Sequence, residues 1–158
     1  MNFTVAEGGE AIYSRIDVVP GDLSISDLTV SLTCYPGGFG PAYKLPSHRW
    51  VVTSSGEWDI PQDYNGTFPQ APVEKGEDWI FYADKVQSRG SLGLLFDKAE
   101  VESGKVYMSS YGQSTQLKYP PGTRHIHLAF YAFEMENQTS LQSFRSSLEI
   151  ERSLLKGK

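Results

Sequence analysis

The sequence predicts an all-β protein: an antiparallel β-sandwich, of jelly-roll or immunoglobulin-like type, with a short C-terminal helix. Two observations carry this prediction. Short β-like segments are separated at close intervals by glycine and proline, with no alternation of strands and helices. The last segment then changes from a period of two to helical spacing.

Period-two alternation is clearest in "DLTVSLTCY", where Leu28, Val30, Leu32 and Cys34 fall on one face and Thr or Ser lies between them. The most apolar run, "RHIHLAFYAFEME", has two apolar faces and is predicted to be a central strand. The other predicted strands, in chain order, are "NFTVA", "EAIYSRIDVV", "RWVVTS", "WIFYADKVQ", "SLGLLFDKAEV" and "KVYMSSYG". Long irregular segments are expected at 36–48 and 56–78.

The tail is predicted to be helical over 139–156. Its apolar residues recur at helical spacing, and Thr139 with Gln142 forms a candidate capping box. The spaced apolar residues are Leu141, Phe144, Leu148 and Leu155.

Length and composition limit the classes of function. A chain of 158 residues is predicted to form one domain, 1–158. The net charge of −5, without a cluster of basic residues, argues against a nucleic-acid partner. No apolar run is long enough for a membrane helix, and no secretory leader is present in the sequence, which favours an intracellular protein. The single cysteine, Cys34, excludes an internal disulfide and a cysteine-based zinc site.

His125 and His127 are the first candidates for chemistry. Two residues apart on a strand, they are expected to project to the same side, and two such histidines are weak candidates for a metal site. A third ligand is not evident. We therefore expect no metal and no cofactor, and expect both rings to be satisfied by hydrogen bonds or solvent.

The segments 36–48 and 56–78 are the second candidate because they gather aromatic and acidic residues. Aromatic faces bind the apolar side of a sugar ring, and carboxylates bind its hydroxyls. The sequence therefore predicts a non-catalytic, lectin-like binding module with a carbohydrate or protein partner. The expected ligand-binding residues are Trp58, Asp59, Asp63, Tyr64, Phe68, Trp79, Tyr43 and Trp50.

Two alternatives stay open. The same aromatic residues can be anchors between subunits, as in a structural or assembly protein such as a virion or appendage subunit that forms a homo-oligomer. A glycoside hydrolase would need a carboxylate pair, which Asp59, Asp63, Glu77 or Asp78 could provide, but their separation cannot be read from sequence. No nucleophile or phosphate-binding motif occurs, so we expect no catalytic residues.

Overall fold

The computed structural model describes residues 2–5, 11–22, 24–34, 49–59, 70–84, 89–108 and 113–156. These ranges contain eleven β-strands and one α-helix. In chain order, β1 to β11 are Asn2–Val5, Ile12–Asp17, Leu28–Cys34, Arg49–Thr53, Glu57–Asp59, Gln70–Val73, Trp79–Asp84, Arg89–Phe96, Ser103–Met108, Gln113–Tyr119 and His125–Glu136, and α1 is Asn137–Lys156.

The strands form two antiparallel sheets. The larger sheet has seven strands in the order β1-β2-β11-β8-β7-β4-β5, and the smaller has four in the order β3-β10-β9-β6. Their packed faces share one hydrophobic core, which includes Val51, Ile80, Leu94, Leu117 and Leu128. The predicted antiparallel sandwich with a C-terminal helix is therefore confirmed.

The central strands of the larger sheet, β7, β8 and β11, are buried on both faces where α1 packs on the outer face. A second core lies there and combines sheet residues such as Trp50, Phe81 and Tyr131 with Phe144 and Leu148 of the helix. β11 contributes to both cores, with Leu128 on the inner face and Ala129 on the outer face. Its two apolar faces were thus a correct sign of a strand inside the sheet rather than at its edge.

The helix begins at Asn137, two residues before the predicted start. Thr139 therefore lies within the first turn and does not cap the helix. Asn137 is buried, and its side-chain Nδ2 donates to the backbone oxygen of Asp84 at 2.8 Å, which joins the helix start to the end of β7. The predicted apolar face is confirmed, since Leu141, Phe144, Leu148 and Leu155 are all buried in the outer core.

Three strands lie where no strand was predicted. β5 and β6 fall inside the segment expected to be irregular, 56–78. β10 follows β9, and its inward positions include Gln113 and Thr115, both fully buried. Because these inward residues are polar, the strand lacks the alternation of apolar and polar residues by which strands are recognised.

Among the described residues, no helix is long and apolar enough to span a membrane.

Candidate functional site

A pocket of about 390 Å³ opens on the outer face of the larger sheet, beside the last turn of α1. We call it the dyad pocket, for the two histidine–carboxylate pairs described below. Its lining residues are Asn2, Thr4, Tyr13, Ser14, Arg15, Asp17, His127 and Leu155.

Strand register brings these residues together from three neighbouring strands. Arg15 of β2 lies opposite Asn2 on β1 and opposite His127 on β11. Asp17 lies opposite His125 in the same pairing of β2 with β11. Since side chains two residues apart on a strand point to the same face, these polar groups form one continuous row across the sheet.

Glu100 holds His127 at two points. One carboxylate oxygen is 2.8 Å from the ring Nδ1, and the other accepts the backbone N–H of His127 at 3.1 Å. Glu100 is itself positioned by the turn between β8 and β9, where its backbone N–H donates to the Asp97 oxygen at 2.9 Å. A carboxylate oxygen can only accept, so Nδ1 carries the proton and Nε2 is the ring atom able to accept a hydrogen bond from a ligand.

His125 forms the second pair, with Asp17. Its Nδ1 is 2.8 Å from the same Asp17 oxygen that accepts from Arg15 Nε at 2.8 Å. Hydrogen bonds from His125 and then from Arg15 hold the pKa of the exposed Asp17 carboxyl below its ordinary value. The Nη2 atom of Arg15 also lies 3.0 Å from Nδ1. With Nδ1 donating to Asp17, this last approach is a close neighbour and not a hydrogen bond.

The two histidines lie on the same face, as predicted, with ring centroids 6.5 Å apart. Each ring makes a hydrogen bond to a carboxylate through Nδ1. Over the described ranges, no three His, Cys, Asp or Glu side chains converge as ligands for a metal ion.

Tyr13, which lines the dyad pocket, contacts Glu151 of α1. The Tyr13 hydroxyl donates to the Glu151 carboxylate, and both side chains are buried. Burial, followed by the bond to Glu151, raises the pKa of Tyr13 above its ordinary value. Tyr13 therefore remains a neutral donor, and this contact fastens the last turns of α1 to β2.

The predicted ligand-binding residues do not form one surface within the described structure. Trp50 and Trp79 are 5% and 4% exposed, and both belong to the core beneath the helix. Trp58 packs against the other core, between the sheets, and Asp59 is exposed beside it on β5. The larger sheet thus separates Trp58 from the other two tryptophans. Tyr43, Asp63, Tyr64 and Phe68 lie outside the described residues.

Glu77 and Asp78, considered as members of a catalytic carboxylate pair, make structural contacts. Glu77 is buried and accepts the Thr53 hydroxyl and the backbone N–H groups of Ser55 and Glu74, at 2.9 and 2.6 Å for the last two. Asp78 accepts two hydrogen bonds from Arg152, one of them at 2.8 Å, and so ties α1 to the sheet.

In comparisons with known proteins, no family model, no curated protein and no solved structure matches the chain.

Sequence reasoning identified the two histidines and missed their partners. Asp17 and Glu100 are separated from them by 108 and 27 positions. One signal was available in β2, "IYSRID", where Tyr13, Arg15 and Asp17 alternate with apolar or small residues and place polar groups on one face.

Proposed function

We propose that the protein is a non-catalytic binding domain for a carbohydrate and that the dyad pocket is its binding site. The observation that carries this proposal is the row of polar side chains from β1, β2 and β11 around one opening of about 390 Å³. That volume lies within the range of small-ligand sites, about 300–1,000 Å³.

Sugar hydroxyls both donate and accept hydrogen bonds, and the dyad pocket provides partners of both kinds. Asp17 offers acceptor oxygens, Arg15 offers donors, and Asn2 and Thr4 at the rim can do both. Leu155 adds an apolar contact for the C–H groups of a sugar ring. The aromatic-rich segments 36–48 and 56–78, with Trp58 and Asp59, are the competing location for the same ligand.

The proposed function does not include catalysis, because the candidate carboxylates already have other partners. The two carboxylates beside the histidines, Asp17 and Glu100, are each committed to orienting a ring, and Glu77 and Asp78 are committed to structural hydrogen bonds. These fixed pairs suit a rigid recognition surface, because groups that are already oriented lose little entropy when a ligand binds.

The test is a glycan screen followed by titration of each hit against single variants. Asp17→Asn and His127→Ala should weaken binding about tenfold or more, because each removes a charged or fixed hydrogen-bond partner. Lys98→Ala, at an exposed turn position outside the dyad pocket, is the matched surface control. Unfolding midpoints of all variants separate lost binding from lost folding.

Trp58→Ala decides between the two locations. If it abolishes binding while Asp17→Asn and His127→Ala leave binding unchanged, the ligand binds at the aromatic loops and the dyad pocket is not the site. If no glycan binds the parent protein, the carbohydrate proposal is wrong.

A subunit of an assembly is the second candidate function. Large apolar side chains are exposed at Val19, 87%, and at Ile150 on the outer side of α1, 66%. Apolar side chains that a partner buries form the core of contacts between subunits. Molar mass by light scattering, over roughly a hundredfold range of concentration, tests it: an oligomer that Ile150→Ser dissociates supports assembly, and a monomer throughout contradicts it.

A further inference from the structure

The outer face of the smaller sheet lies on the opposite side of the sandwich from the dyad pocket. Outward side chains of β3, β9 and β10 form there a flat, polar surface that we call the lysine face. Its members are Thr29, Ser103, Lys105, Tyr107, Gln116 and Lys118. All but Tyr107 line a depression of about 320 Å³.

The lysine face carries two lysines although the whole chain carries −5. At its edge the Thr29 hydroxyl donates to the Asp27 carboxylate at 3.4 Å. Lys105 lies opposite Gln116, and Lys118 lies opposite Ser103, so the two lysines are diagonal neighbours with Cβ atoms roughly 7 Å apart. No acidic residue occupies an outward position on the described strands of this sheet.

The nearest carboxylate to Lys118 among the described contacts is that of Glu102, just before β9, at 3.7 Å. Both side chains are 49% exposed, so the pair is weak and its charge is largely screened by solvent. The Lys105 ammonium lies 4.8 Å from the centroid of the Tyr107 ring, a cation–π contact that favours one position of the cation above the sheet. Both lysines can therefore take a further anionic partner.

We infer that the lysine face binds an acidic polysaccharide, through carboxylate or sulfate groups at Lys105 and Lys118 and sugar hydroxyls at Thr29, Ser103 and Gln116. Two lysines beside hydroxyl and amide groups complement a polymer that carries both negative charges and hydroxyls. A second copy of the chain is a poorer occupant because symmetric packing of this face would bring like charges together. Nucleic acid is poorer too, since two lysines neutralise few phosphates.

The probe is an oligogalacturonate, with its fully methyl-esterified form as the uncharged control, titrated by calorimetry at low ionic strength. The acid form should bind and the ester should not, and added salt should weaken the acid form. Lys105→Ala and Lys118→Ala should each weaken binding about three- to fivefold, and the double variant should weaken it about ten- to twenty-fivefold. Lys→Arg at both positions should preserve it, and Lys98→Ala serves as the surface control.

Three results would overturn the inference: equal binding of acid and ester, unchanged binding by the double alanine variant, or a concentration-dependent dimer that the double variant dissociates. The last result would assign the face to a second copy instead. Because the lysine face is separate from the dyad pocket, Asp17→Asn must leave oligogalacturonate binding unchanged. Failure here therefore leaves the proposed function standing.

Discussion

The Phe144 ring of α1 lies directly on the backbone of Gly93 in β8, where a Cβ atom would come within 2.8 Å of the ring. Gly93 lies between Phe81 of β7 and Tyr131 of β11 in the sheet register. Phe144 contacts both of these aromatic rings, at centroid distances of 6.2 and 5.1 Å. The absence of a side chain at position 93 therefore leaves the space into which the Phe144 ring of the helix packs.

Gly93→Ala should destabilise the protein by about 1–3 kcal/mol, because the added methyl group would force the Phe144 ring out of its packed position. The expected penalty outweighs the small gain that alanine brings to a strand backbone. Chemical denaturation of parent and variant measures the difference in the free energy of unfolding.

Gly21→Ala is the matched control, since a Cβ atom there has no neighbour within 4 Å. In a Phe144→Leu background the added cost of Gly93→Ala should shrink, because the smaller side chain leaves room. An equal cost in both backgrounds would mean that the clash with Phe144 is not the cause.

Glu77 joins two turns and should make stability depend on pH. Burial alone would raise its pKa, but hydrogen bonds from Thr53, Glu74 and Ser55 outweigh burial and hold the pKa below the ordinary value of 4.5. The ionised form is thus favoured by folding. Its contribution is fully present above pH 4.5 and is lost as the pH falls through the lower pKa of the folded state.

Glu77→Gln should cost about 1.5–3 kcal/mol near neutral pH, where charged hydrogen bonds are lost. This difference from the parent should narrow as the pH falls below about 4, because the protonated glutamate then resembles glutamine. Denaturation curves across the acid range measure it. A difference that stays constant with pH would show that the charge on Glu77 contributes nothing.

The ion pair of Arg49 and Asp84 should be sensitive to loss of one partner. Their side chains are each 2% exposed and 2.8 Å apart. Burial lowers the pKa of the Arg49 guanidinium, and the Asp84 carboxylate opposes that shift. Asp84→Asn should cost about 3–5 kcal/mol because the buried Arg49 guanidinium loses the charge of this carboxylate. The double variant Arg49→Met with Asp84→Asn should cost less than the sum of the single changes, measured by a denaturation cycle.

Prediction of the fold from sequence succeeded where one repeating pattern dominated. The alternation in β3 and the spacing of Leu141, Phe144 and Leu148 were sufficient, because each pattern reports a face that is buried. It failed in β10, where Gln113 is buried and its side-chain Nε2 donates to the Trp50 backbone oxygen at 2.9 Å. A buried polar residue that bonds to backbone distant in the sequence cannot be distinguished from an exposed one by sequence.

The candidate site was less predictable for a related reason. Composition grouped three tryptophans as one aromatic surface, but alternation along β4 and β5 divides them: Trp58 lies opposite Val51, whereas Trp50 lies opposite Asp59. Successive positions on a strand point to opposite faces of the sheet. The register of β4 against β5 therefore places Trp50 and Trp58 on opposite faces, although they are close in the sequence. The polar row around the dyad pocket depends on register between strands that are far apart in the chain.

The contact of Tyr13 with Glu151 leads to the last prediction. Glu151 is a buried carboxylate on α1, and Tyr13 is a hydrogen-bond donor to it from the sheet. Tyr13→Phe removes that donor without opening a cavity and should cost about 1–3 kcal/mol, the penalty for a buried acceptor left without its partner. Thermal or chemical unfolding measures the loss.

A double-mutant cycle with Glu151→Gln isolates the contact. Each single change should destabilise the protein, and the double variant should be less destabilised than their sum, because the second change removes a group that has already lost its partner. Additive costs would show that the hydroxyl and the carboxylate do not interact. Hydrogen exchange at the last turns of α1 gives a second measure: Tyr13→Phe should reduce protection there more than at Asn137, because only the C-terminal turns depend on this contact for their place on the sheet.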